Sequence, residues 1–123
     1  MDTLIDELAG HRQLAIVERY EAFVNYVYPI ALNIRRTHHI ARDRFVDAMF
    51  EQVSVFNQAG KSNQVSKLYV ADAGLSDLRF LLRFLADEKR RLISLHQYEV
   101  ADIHLAEVGK MLGAWIRNKA AKG

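Results

Sequence analysis

Apolar residues recur early in the chain as Ile16, Tyr20, Phe23, Val27, Ile30 and Ile34, spaced 4-3-4-3-4. That is the spacing of one helix face, widened by Val17, Val24, Tyr28 and Ala31, and it predicts a helix over about 13–34. Pro29 falls inside this pattern. Because the periodicity continues past it, a kink is expected rather than a break, at the loss of one backbone hydrogen bond. The polar run Arg35-Arg36-Thr37-His38-His39 interrupts the stripe. A second helix over about 40–59 then sets Phe45, Met49, Val53 and Phe56 on one side, with Val46 and Phe50 beside them. Gly60 suits the left-handed turn that follows many helices and is expected to end this one. Ser62 or Asn63 is expected to cap a third helix over about 63–87, and Ser94-Leu95-His96-Gln97 has the form of a capping box opening a fourth over about 95–118. No stretch alternates with period two for long enough to make a strand. Four amphipathic helices of roughly 18–26 residues on short connections predict an all-α fold. Its expected form is an antiparallel up-down-up-down four-helix bundle, one domain spanning 1–123.

The third helix carries more than such a bundle requires. Leu68, Ala71, Leu75, Leu78, Leu82 and Leu85 form the stripe expected to face the core. A second apolar stripe, Tyr69, Ala73, Phe80 and Phe84, lies well round the wheel from it, and the polar line Asp72, Ser76, Arg79, Arg83 runs between them along one edge. Leaving two Phe rings in water forgoes ~1.5–3 kcal/mol each relative to burial, and such a patch marks an association surface. The chain is therefore expected to self-associate. The fourth helix repeats the theme more weakly: Tyr98, Ala101, Leu105, Val108, Leu112, Trp115 and Ile116 make its core stripe, while Val100 and Ile103 point elsewhere. Gly109 and Gly113 each cost about 1 kcal/mol against Ala in a helix interior, which predicts close approach of a neighbouring helix there.

Composition narrows the function. The chain has 123 residues, no Cys, 6 Gly and 1 Pro, with 50% hydrophobic and 26% charged positions. Disorder and a loop-rich all-β fold are disfavoured, and disulfides, thiolate metal sites and cysteine nucleophiles are excluded. No apolar run approaches the ~18 residues that cross a bilayer. The acidic start Met1-Asp2-Thr3-Leu4-Ile5-Asp6-Glu7 is unlike a secretory signal, so a cytoplasmic protein without a membrane partner is expected. Net charge is only +2, but unevenly spread: residues 1–34 hold two basic side chains against five acidic ones, residues 35–67 six against three, and residues 110–123 four against none. That asymmetry can build local positive surface for a polyanion; the plainer reading is a solvated surface.

Catalytic chemistry is not found. Ala59-Gly60-Lys61-Ser62 resembles the end of a phosphate-binding loop, but its leading glycine would fall at Val55 and no strand precedes it. The Glu-x-x-His pairs of di-iron bundles are missing; Asp102 and His104 stand two apart on different faces, and His38 and His39 adjoin in a basic connection. No metal, cofactor or catalytic residue is expected, and the protein is not read as an enzyme. For Asp72, Arg79 and Arg83 two readings stand side by side: ion pairs within the bundle or between subunits, and contacts with a partner or nucleic acid.

The third helix carries a specific likeness. The run Ala59-Gly60-Lys61-Ser62-Asn63-Gln64-Val65-Ser66-Lys67-Leu68-Tyr69, then Ala71-Asp72-Ala73-Gly74-Leu75, Leu78-Arg79-Phe80 and Leu82-Arg83-Phe84-Leu85-Ala86, resembles the accessory variability determinant (Avd) proteins of diversity-generating retroelements. Ile16-Val17-Glu18-Arg19-Tyr20-Glu21, Tyr28-Pro29-Ile30-Ala31, Ala106-Glu107-Val108-Gly109 and Trp115-Ile116 fit the same family, so the likeness covers most of 14–118. The resemblance implies a four-helix bundle assembled as a homopentameric barrel. It also implies a non-enzymatic accessory role in mutagenic retrohoming, through binding the element's reverse transcriptase and RNA or DNA with little sequence preference. On that footing Tyr69, Phe80, Phe84, Val100 and Ile103 are the expected subunit interface. Lys61, Lys67, Arg79 and Arg83, within the matching segment, are the first candidates for polymerase or nucleic-acid contact; Arg35, Arg36, Arg90, Arg91, Arg117, Lys119 and Lys122 follow on charge alone. The alternatives are a purely structural helical oligomer that joins proteins through the Phe80 and Phe84 face without nucleic acid, and a metal-dependent bundle enzyme.

Overall fold

Helical periodicity over most of the chain becomes four long helices in the structure, a computed structural model that describes residues 2–62 and 64–122 and the side chains of residues 15–62 and 64–121. They are α1 (Asp2–Leu32), α2 (His39–Ser62), α3 (Val65–Ala86) and α4 (Leu95–Lys122), with a single 3-10 turn at Arg36–His38 between the first two. No strand occurs among the described residues. Around the resulting all-α bundle, α1 packs on α2 and α4, and α3 packs on the same two helices from the other side.

Each helix contributes most of the row its spacing predicted, while Ile30, Val53, Tyr98 and Ile116 are only half-buried. Ile16, Tyr20, Phe23, Val27 and Ala31 of α1 are buried against Phe45, Met49 and Phe56 of α2, all six core positions of α3, and Ala101, Leu105, Val108, Leu112 and Trp115 of α4. Aromatic rings anchor the α1–α2 seam. Tyr20 meets Phe56 edge-on at 5.5 Å and Phe23 meets Phe45 at 6.5 Å, geometries that complement ring quadrupoles. The Tyr20 hydroxyl, buried with its ring, donates to the Met49 carbonyl at 2.6 Å, and burial pushes its pKa upward.

Several local expectations are corrected. α1 starts at Asp2, eleven residues before the start predicted at 13, because Leu, Glu and Ala favour helix once a nucleus exists. It runs through Pro29 without a break and closes with short-range bonds from Asn33 N to Ile30 O and from Ile34 N to Ala31 O, both 3.1 Å. Gly60 does not end α2. No described glycine takes a positive φ, and the helix continues to Ser62, whose hydroxyl bonds the Ala59 carbonyl at 3.5 Å. Neither Ser62 nor Asn63 is the cap of α3: Gln64 holds that position, extended and without a side-chain cap bond, and Asn63 lies outside the described residues. At α4 the capping box is formed as read, with Gln97 N donating to Ser94 Oγ at 3.0 Å and Ser94 N to Gln97 Oε1 at 2.9 Å.

The glycine expected to mark a close approach is also a different one. A Cβ on Gly109 would meet nothing within 4 Å, and one on Gly113 only the Arg117 guanidinium of its own helix at 3.4 Å. At Gly74, by contrast, a Cβ would overlap the side-chain amide of Gln52. Gln52, not Val53, completes the buried row of α2, and its Nε2 donates to the Ala71 carbonyl across the seam at 2.8 Å.

Candidate functional site

The row of α3 that turns away from the core carries the second apolar stripe. Tyr69 is 55% exposed and Phe80 56%, with Ala73 open between them and Val70, missed by the wheel argument, beside them. Phe84 closes the row but is half-buried. Its ring lies 6.3 Å from Phe80, and the Arg90 guanidinium sits 3.6 Å above it while Arg90 Nε donates to the Phe84 carbonyl at 3.1 Å. Arg90 thus covers a ring and satisfies a carbonyl at the end of α3, two structural duties beyond its charge. On α4, Val100 is half-buried and Ile103 is 60% exposed.

Phe80 also stands where two shallow grooves between α2 and α3 meet. One, about 370 Å³, has an apolar floor of Ile40, Ala41, Phe80, Leu81 and Phe84 under Arg44, Arg90 and His38. The other, about 550 Å³, adds Asp47, Glu51 and Asp77 around Arg44. Ile40, 77% exposed, and Arg44 were not singled out from sequence, although Arg44 stands in the basic stretch noted there.

The basic candidates fall into separate groups. Because His38 and Arg90 line one groove, the basic α1–α2 and α3–α4 connections come together at one end of the bundle. Arg35 and Arg36 are exposed there, as is Arg91, which takes the left-handed φ of 44°. The α3–α4 connection is tightly bonded: the Asp87 carboxylate accepts from Lys89 N at 2.9 Å, and the Leu85 carbonyl accepts from Leu92 N at 2.8 Å. Lys61, exposed, and Lys67, half-buried, flank the α2–α3 junction. Lys67 is about 18 Å from Arg79 along the axis of α3, so one chain does not gather the four first candidates into a single patch. Arg83 is exposed one turn beyond Arg79. Arg79 itself reaches across to α4, where its Nη2 donates to Asp102 Oδ1 at 3.3 Å. Of the two readings kept for the polar edge, an ion pair within the bundle is therefore realised at Arg79. Arg117 is exposed and Lys119 half-buried on α4; the side chain of Lys122 lies outside the described residues.

Among the described residues no three His, Asp or Glu side chains gather as metal ligands, and no helix is long and apolar enough to cross a membrane. His104 stacks near Tyr26 at 5.8 Å with its Nδ1 buried and unpartnered. Burial first, then the positive charge of Arg19, hold its pKa below the ordinary imidazole value.

The model of one protein family, described as bAvd-like, matches residues 14–119. No curated protein matches the chain.

Proposed function

The chain belongs to the bAvd-like family, and from that membership we propose that it is a non-enzymatic accessory protein of a diversity-generating retroelement. In this reading it works in the cytoplasm, binding the element's reverse transcriptase together with template RNA or cDNA during mutagenic retrohoming. The observation that carries the reading is the outward row of α3, inside the matched segment, where exposed Tyr69 and Phe80 run beside Arg79 and Arg83. An apolar row that one chain leaves wet supports association, and cations on its border support a polyanionic partner.

The assembly proposed is a homopentameric ring of antiparallel bundles. The order of the ring pairs, Tyr20 with Phe56 and Phe23 with Phe45, supports opposite directions for α1 and α2. A closed ring needs two different faces on each copy. Tyr69, Phe80 and Phe84 on α3 supply one, and Val100 and Ile103 on α4 supply the other. Symmetry then repeats a modest charge of +2 per chain around the ring. Lys61, Lys67, Arg79 and Arg83 lead the proposed contacts with polymerase or nucleic acid; Arg35, Arg36, Arg90, Arg91, Arg117, Lys119 and Lys122 are their electrostatic support.

The test is binding of structured RNA at several salt concentrations. Each phosphate neutralised contributes roughly −0.7 to −0.9 to the slope of log K against log salt, so binding should weaken steeply as salt rises. Replacing Arg79 and Arg83 by Ala should lower affinity in an assembly of unchanged mass. A flat salt response would leave a purely structural adaptor.

A further inference from the structure

The ion pair between Arg79 and Asp102 joins α3 to α4 at the surface, not in the core. Its side chains are 39% and 36% exposed, and the contact is a single bond of 3.3 Å, longer than the ~2.7–2.9 Å of a strong charge-assisted pair. Such a pair holds loosely and is readily exchanged. Arg83, about 6 Å further along the same edge, has no carboxylate partner among the described residues. A guanidinium binds carboxylate and phosphate through the same planar array of donors, so a phosphate approaching Arg79 competes with the Asp102 carboxylate for that array.

We propose that Asp102 occupies on Arg79 the place of a nucleic-acid phosphate, and so sets the affinity and salt dependence of RNA binding at this edge. The inference rests on the reading of Arg79 as a nucleic-acid contact. An isolated anion competes poorly with a carboxylate fixed on the neighbouring helix, whereas a phosphate chain also engaging Arg83 does so with help. Asp102 thereby favours chains of phosphate over single ones.

The experiment measures anisotropy of a labelled single-stranded RNA titrated with the full chain, across a potassium chloride series. The proteins compared are wild type, Asp102→Asn, Arg79→Ala, the double variant, and Glu99→Gln, which makes the same change of charge on an exposed turn of α4. Asp102→Asn keeps the shape of the side chain and an oxygen that can accept from Arg79, but removes the negative charge that competes with phosphate. It should bind about two- to fivefold tighter with a slope steeper by about 0.7. Arg79→Ala should bind more weakly, the double variant should match Arg79→Ala, and Glu99→Gln should change little. If Arg79→Ala weakens binding while Asp102→Asn is unchanged, weaker, or no different from Glu99→Gln, the competitor role is overturned and the nucleic-acid reading stands. A gain from Asp102→Asn that persists without Arg79 overturns it equally. If Arg79→Ala binds as wild type, the assignment of Arg79 to RNA fails, and this inference with it.

Discussion

Gly74→Ala is the substitution whose sign depends most directly on the packing described. In an isolated helix it would stabilise by about 1 kcal/mol, since Ala is the better helix former. Here the new Cβ overlaps the Gln52 amide, which is buried and donates to the Ala71 carbonyl at 2.8 Å. If the amide is driven off, a buried polar group without its partner costs about 1–3 kcal/mol. Displacing the side chain or the two helices adds strain of about 1–3 kcal/mol. Against the propensity gain, the net expectation is a loss of about 1–5 kcal/mol, whose midpoint corresponds to about 10 °C in Tm for a chain this size. Urea and thermal unfolding followed by far-UV circular dichroism, at one fixed protein concentration because the proposed association would contribute to stability, would measure it. In a Gln52→Ala background the space opposite Gly74 is vacated, and the same Gly74→Ala should become stabilising by about 1 kcal/mol. Wild-type stability or better for Gly74→Ala alone, or equal effects in the two backgrounds, would refute the clash.

Three further outcomes follow from single contacts. The lowered pKa of His104 means that the unfolded chain takes up its proton first. That part of stability should be intact above the ordinary imidazole pKa of about 6.5 and should fall as pH drops from there toward the lower folded value. The difference in urea midpoint between wild type and His104→Leu across this window reports it, and parallel pH profiles would contradict it. Ser94→Ala removes the acceptor for Gln97 N and should cost about 0.5–2 kcal/mol, measured by chemical denaturation; no loss would mean that α4 starts without its cap. Arg90→Ala uncovers Phe84 and frees its carbonyl, with an expected loss of about 1 kcal/mol and faster amide exchange in residues 85–93, whereas unchanged exchange would show the clamp to be idle.

What could be read from the chain alone was what repeats locally. The leucine row of α3 and the capping box at Ser94 depend on residues within a turn or two of each other, and periodicity exposes them. The start of α1 was missed because Leu4, Ile5 and Leu8 make only a short apolar set, which Gly10-His11-Arg12 separates from the stripe that begins at Ile16. Gln52 was passed over because a polar residue is placed in a core only by what faces it, and that is Gly74, on another helix. The same holds for Arg79, whose partner Asp102 lies twenty-three residues away. The Tyr20 hydroxyl and the groove around Ile40 likewise arise only when α1, α2 and α3 are side by side. Charge counts pointed to basic segments, yet which cations adjoin is a property of the packed helices, and Lys67 and Arg79 prove distant on one rod.

The central claim is that the outward row of α3 is covered by another copy of the chain. Sedimentation velocity at micromolar concentration tests it most directly. The account predicts a discrete assembly near 70 kDa, about five chains of 14.1 kDa, that dissociates when Phe80 is replaced by Asp while helicity persists. Wild-type protein sedimenting as a 14.1 kDa particle, or Phe80→Asp retaining the wild-type mass, would contradict it.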